Sequence, residues 1–319
     1  MSLLSLTSCL FFSDPKQSGD GGEAKDQASS ESSAVDHDQA QIKRVGMASL
    51  QGITIPSDDD LIGFDESTGI AYIINSVAGD FCSRFIQERI ESTFWSSLDT
   101  GKRLWRRSYK SQSASLAAIK AQNQWESTVK KGMKKTFATL DREYLRYSRV
   151  TFPFDYSAAG AMLCVIRNDH VILATIGKNV ALYIRDDGAT ARMTFQHDVL
   201  NRKEVKRMLR KAPASWSERY LKDRMREYPL RAFGERELKN LGVLDAVPDF
   251  TTVEMDRNSF LLLCSGAVVD AMSDEEIGRF VVKQARLTNC DLDSIATELA
   301  RKAIRASSDG ASAILIYFN

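Results

Sequence analysis

The sequence predicts an α+β fold, a β-sandwich flanked by helices, and three observations carry this reading. Helical patterns come in pairs on either side of a block of short apolar runs. Those runs are apolar on both faces, so each strand must be covered on both sides. A last run, "AILIYF" (Ala313–Phe318), closes the chain as one more buried strand.

Taken in order, "GIAYII" (Gly69–Ile74) is strand-like. "FCSRFIQERIESTFW" then sets Phe81, Cys82, Phe85, Ile86 and Ile90 on one helical stripe. A second long helix covers Thr128–Val150, with Val129, Met133, Phe137, Leu140 and Tyr144 inward. "AMLCVI", "HVILATIG" and "NVALYIR" follow as three strands. Gly177-Lys178-Asn179 lies between the last two, which predicts a hairpin there. "SFLLLC" (Ser259–Cys264) is a strand, and Ser273-Asp274-Glu275-Glu276 fits a capping box. The helix it opens turns Ile277, Phe280 and Val281 inward, and a last helix over 292–306 does the same with Ile295, Leu299 and Ala303.

Residues 1–45 read as a disordered tail and 46–319 as one folded domain. The tail is rich in Ser, Gly, Asp, Glu and Gln; between Asp14 and Asp38 seven acids face two lysines. The start, Leu3–Phe12, is apolar, but no basic residue precedes it and no clear cleavage site follows. It reads as a greasy terminus of a cytoplasmic or nuclear protein, with secretion as the alternative. A net charge of +1 over 319 residues gives no global pull toward nucleic acid, and no apolar run is long enough to span a membrane. The five cysteines are scattered with no C-x-x-C spacing, so neither a disulfide framework nor a zinc site is expected.

Several motifs fall in a telling order. "SLQGITIPSDDD" (Ser49–Asp60), "YIINSVAG" (Tyr72–Gly79) and "SAAGAMLCVI" come first, then "ATIGKNVALYI" and "RAFGERELK" (Arg231–Lys239). "VPDFTTVEM", "FLLLCSGAVVDAMSDEEI" and "SSDGASAILIYF" complete the series. Together they resemble the type-2C, metal-dependent serine/threonine protein phosphatases over about residues 46–319. The resemblance implies two antiparallel sheets with helices on both outer sides, and two Mg²⁺ or Mn²⁺ ions held by carboxylates between the sheets.

Carried over position by position, that ligand set is broken. Asp58 and Asp59 match the acidic pair of the first motif, and Asp309 matches the last metal aspartate. Asn75 replaces the aspartate of D-G-H-x-G, and Gly266 (or Ser265, one residue earlier) replaces another. Thr54 stands at the phosphate-binding arginine, and Lys178 at the aspartate of V-G-D-S-R. The expectation is a pseudophosphatase, similar in kind to the TAK-kinase-binding adaptor of this fold, which also has asparagine at the first of these aspartates. It would bind a protein, a kinase or a phosphoprotein; the alternative is an active phosphatase with a divergent metal site. Cofactors are then none, or one weakly bound Mg²⁺, Mn²⁺ or Ca²⁺ at Asp58, Asp59 and Asp309, with Asp60 completing the acidic triplet; Lys178 would otherwise balance the charge of Asp58, Asp59 and Asp309. His197 reads as structural. Trp216 and Tyr220 are the candidate partner contacts, while the basic runs Gly101–Lys110 and Arg202–Lys211 read as solvated faces.

Overall fold

Sheet pairing begins at Ile42, four residues ahead of the expected boundary at 46. The computed structural model describes residues 41–52, 60–98, 116–226, 228–307 and 309–319. One sheet contains β1 (Ile42–Leu50), β6 (Val180–Ile184), β7 (Thr190–Arg192), β10 (Ser259–Cys264) and β11 (Ala311–Phe318), in the order β1-β11-β10-β6-β7. The other contains β2 (Leu61–Asp65), β3 (Ile70–Val77), β4 (Ala158–Arg167), β5 (His170–Ile176) and β9 (Asp249–Glu254), in that order, with the short β8 (Phe233–Gly234) beside β4. All the pairings given for both sheets are antiparallel.

The strands divide their side chains by period two. In β4, Met162, Cys164 and Ile166 pack between the sheets against Leu261, Leu263, Ile314 and Ile316. Ala161, Leu163 and Val165 face outward onto α1 (Phe81–Gln87), α2 (Ile90–Ser97) and α3 (Leu116–Thr151). The predicted inward stripe of α3 is buried throughout, from Val129 to Tyr144. On the far side, α8 (Asp274–Leu287) and α9 (Leu292–Ser307) cover the other sheet through Ile277, Val281, Ile295, Leu299 and Ala303. The capping box is present, with Ser273 and Glu276 exchanging bonds at the start of α8. The layers are therefore helix, sheet, sheet, helix.

Two expectations are corrected. The first helix is two helices broken at Glu88-Arg89, and Phe81 at its start is half exposed, resting on Phe152 rather than in the core. The expected hairpin at Gly177-Lys178-Asn179 is a crossover: β5 and β6 belong to different sheets. The tight hairpin lies one connection earlier, where Asn168-Asp169 joins β4 to β5. Turn residues announce a change of direction, but they do not say whether the chain returns to the same sheet.

Gly177 makes the crossover possible. Its φ is +87°, and a Cβ there would lie 2.7 Å from the Cα of Gly160. Gly177→Ala is therefore expected to destabilise the protein by about 2 kcal/mol or more. A urea titration checks this: the midpoint should fall at unchanged slope, and an unshifted midpoint would refute the strain.

Candidate functional site between the sheets

At one end of the sandwich the apolar filling gives way to polar side chains from both sheets. Register brings them together. Leu61 pairs with Ile74, so Asp60, one residue earlier, stands beside Asn75 at the end of β3. Ser49 of β1 pairs with Ser312 of β11 in the facing sheet. Asn75 Nδ2 donates to Asp60 Oδ1 at 2.6 Å, and Ser312 Oγ donates to Asp60 Oδ2 at 2.8 Å. Ser49 Oγ donates to the Asp60 carbonyl. Behind them Ser265 and Ser312 exchange bonds: each backbone N–H is satisfied by the other residue, at 3.0 Å. Both oxygens of Asp60 thus accept hydrogen bonds from protein donors. Asn75 Oδ1, in contrast, is buried without a hydrogen-bond partner.

The position of Gly266 is closed to a carboxylate. Gly266 opens α7 (Gly266–Ala271), and a Cβ on it would lie 2.7 Å from Gln196 Nε2 and 2.9 Å from the Lys178 carbonyl oxygen. Ser265, the other candidate for that position, spends its hydroxyl on Ser312. Lys178 lies against Gly266 and, among the described residues, makes no ion pair with Asp309. Asp309 is exposed in the turn before β11, its N–H donating to Ser307. Thr54, Asp58 and Asp59 lie outside the described residues. Among those described, neither Asp60 nor Asp309 joins two further acids, histidines or cysteines within 4.8 Å. Among the described residues the donors gathered here are one carboxylate already satisfied by N–H and O–H, a neutral amide, two hydroxyls and a glycine, where hard divalent cations call for several anionic oxygens.

Ser312 is the site residue that sequence reasoning missed, and Asp60 it named only as one of three adjacent acids. The triplet Asp58-Asp59-Asp60 left the frame open by one position, and Ser312 is a small residue in an apolar run.

A second polar group holds the segment beside this site. Arg231 forks onto Glu204 of α4 (Arg202–Leu209) at 2.7 and 2.8 Å, and its remaining nitrogen reaches Asp249 at 2.7 Å. His197 Nε2 lies 3.0 Å from the other oxygen of Asp249. Arg207 bonds Glu204, Asp245 and the Leu230 carbonyl, and Lys211 also reaches Asp245. Three cations meet three carboxylates here, so part of the basic run 202–211 is neutralised internally rather than solvated. His197 is structural, as expected, being 2% exposed. With His197, Glu204 and Asp249 it forms a candidate ligand group, but Arg231 already occupies the charge that a cation would meet. Trp216 packs on the apolar cluster beneath this segment, while Tyr220 of α5 (Glu218–Arg224) is half exposed with its ring edge-on to Trp216 at 5.0 Å.

Comparison with known proteins places the family and the fold. The family model described as protein phosphatase 2C matches residues 77–311. The chain is 25% identical over 156 residues to protein phosphatase 1L of Bos taurus, a stretch covering 47% of this chain and 41% of that protein. The match therefore spans less than half the length of that curated relative. Among solved structures, a C. elegans sex determining protein superposes with a TM-score of 0.64 at 16% identity, over 87% of this chain and 65% of that one. A phosphatase from Toxoplasma gondii gives 0.61 at 15% identity, over 88% and 94%. The Mycobacterium tuberculosis serine/threonine phosphatase gives 0.54 at 14%, over 86% and 97%. At these identities the structural likeness is one of fold. Among the described residues no helix is long and apolar enough to cross a membrane.

The Arg231 network has a pH signature. His197 and Arg231 hold the Asp249 carboxyl down to about 2, below its ordinary 3.8, and Glu204 and Asp245 are also lowered by their arginine and lysine partners. A lowered folded-state value means the stabilisation is complete above the unfolded value and is lost as the pH falls through the folded one. Stability should therefore decline from about pH 4 toward pH 2. Because Asp249 is 62% exposed, its own share is screened and small. Asp249→Asn is expected to flatten part of this acid limb, read as the melting temperature against pH. A limb identical to that of the wild type would remove Asp249 from the account.

Proposed function

We propose that this chain, which belongs to the protein phosphatase 2C family, has lost phosphate-ester hydrolysis and acts as a protein-binding adaptor or regulator. One observation carries the first half: both oxygens of Asp60 are taken by Asn75 and Ser312, donors that stand in for cations. The family uses Mg²⁺ or Mn²⁺, and its chemistry needs these ions to supply a nucleophilic water and to neutralise phosphate charge. Here the hydrogens of an amide and a hydroxyl face the carboxylate instead. The closed position at Gly266 supports the same reading, since a second ligand carboxylate there would collide with Gln196 and Lys178.

The second half rests on what remains when catalysis is removed: a rigid domain with an exposed, partly aromatic segment beside the former site. Tyr220 over Trp216, among the arginines of α5, has the composition of an interface anchor. The partner proposed is a protein, a kinase or a phosphoprotein, for which an adaptor of this fold would offer shape without turnover. The second reading, an active phosphatase with a divergent metal site, is favoured by one observation. Asn75 Oδ1 is buried and unpartnered, and such an oxygen could serve as a neutral ligand to one ion.

Two experiments separate these readings. The full chain assayed on a generic aryl phosphate with Mn²⁺ or Mg²⁺ should show no turnover above buffer. Metal-dependent turnover that Asp60→Asn abolishes would sink the adaptor reading. Asn75→Asp, in turn, removes a donor and sets two carboxylates in contact. In chelator-containing buffer it should destabilise the fold by about 2 kcal/mol or more, and added Mg²⁺ or Mn²⁺ should return part of that. A variant as stable as wild type with chelator present would show that the Asn75–Asp60 bond has no such role.

A further inference from the structure

We propose that the tip of the β4–β5 hairpin binds one divalent transition-metal ion, Zn²⁺ or Mn²⁺, through Asp169, His170 and Glu254. The site is independent of the one between the sheets. Gly160, which pairs with Asn75, lies seven residues along β4 from Arg167 at the hairpin tip. At about 3.3 Å per residue that is a separation of about 23 Å.

Main-chain bonds fix the three side chains before any ion arrives. Asn168 takes the left-handed conformation, φ 55°, and turns the chain so that Arg167 pairs with His170. His170 pairs in turn with Glu254 on β9. The Met255 N–H donates to the Asp169 carbonyl at 2.8 Å, pinning the tip to the end of β9. One ligand atom from each of Asp169, His170 and Glu254 then lies within 4.8 Å of the others.

Asp169 is the observation that asks for a ligand. Its side chain is only 9% exposed, and its Oδ1 makes no hydrogen bond. A buried carboxylate oxygen without a donor is costly, and natural structures resolve such oxygens with a proton, a water or a cation. Among the described residues no lysine or arginine pairs with Asp169 or Glu254. The nearest partner of Oδ1 is His170 Nε2, at 3.5 Å. That contact is an ion-pair spacing and is not a hydrogen bond. It is close to the edge, about 3.3 Å, of a tetrahedron whose ligands stand about 2.0–2.1 Å from a zinc ion.

The remaining features agree. His170 is one-quarter exposed and Glu254 is exposed, so an ion can enter from solvent and keep water in its open positions. One imidazole nitrogen with two carboxylate oxygens suits first-row ions such as Zn²⁺ or Mn²⁺ better than Mg²⁺ or Ca²⁺, which prefer oxygen alone. Among the described residues, the other His/Glu/Asp group, at His197, is disqualified by Arg231, which ion-pairs with both of its carboxylates. An ion at this tip would tie the β4–β5 hairpin to the end of β9.

Calorimetric titration of the full chain with ZnCl₂ and with MnCl₂, and with MgCl₂ as control, tests the site. The expected result is one bound Zn²⁺ or Mn²⁺ per chain, weakened at least about 10-fold by His170→Ala and by Glu254→Gln and unchanged by Asp60→Asn. Both variants alter side chains that reach solvent, and circular dichroism verifies their folding. As a second readout, the same ion should raise the melting temperature of wild type but not of His170→Ala. No binding, binding indifferent to His170→Ala, or binding lost in Asp60→Asn would each overturn the proposal.

Discussion

The face-to-face packing of two sheets whose inner faces are sealed is the constraint on which everything else rests. Met162, Cys164 and Ile166 on one side and Leu261, Leu263, Ile314 and Ile316 on the other leave no room for an unpaired charge between the layers. Polar groups can enter only where strands end, and there they must be matched. In this family the ends of the strands hold cations. Here the ends of the strands gather Asn75, Ser265, Ser312 and Ser49, and Asp60 beside them is answered by hydrogen-bond donors. The exchange is local. Under the proposed reading it would change what the site attracts while leaving the strands that frame it paired as they are.

The same rule explains the Arg231 network. Arg231 and Glu204 are both buried, at 8% and 5% exposure, which would be ruinous for either alone. Paired in a fork, with Asp249 and Arg207 completing the charge balance, they fasten α4 and the segment ending at Leu230 to the edge strand β9. Breaking one member would strand the others, so the network acts as a unit.

The layers were legible because burial on both faces writes continuous apolar runs, as in β4, β5, β10 and β11, and because α3 and α9 carry unbroken helical periods. What was not legible depended on pairing between distant segments. The turn at Gly177 looked like a hairpin because both flanking runs were strands, and only the sheet order reveals that the chain changes layer there. Asp60 is not told apart from Asp58 and Asp59 in the sequence, because three consecutive acids look alike until the register of β2 on β3 sets one of them beside Asn75. Asp169 and His170 were visible as neighbours, but Glu254 joins them only through the pairing of β5 with β9.

Among the described residues the side-chain oxygens buried without a hydrogen bond are those of Asn75, Asp169, Thr175 and Asn179; of these only Asp169 Oδ1 belongs to a carboxylate, and it is not equivalent to Asn75 Oδ1. The amide oxygen is neutral, so leaving it unpaired costs about 1–3 kcal/mol, and the same amide offsets part of that by donating to Asp60. The carboxylate oxygen belongs to a group that carries charge at neutral pH unless burial forces a proton onto it. Its partner is His170 Nε2, 3.5 Å away and without a hydrogen bond. Physical reasoning therefore ranks the hairpin tip above the old intersheet site as the place where a cation would now gain most. The two are governed by the same requirement: a charge shut away from water must meet its opposite. At the intersheet site the chain supplies the answer from its own donors; at the hairpin tip the answer has to come from solution.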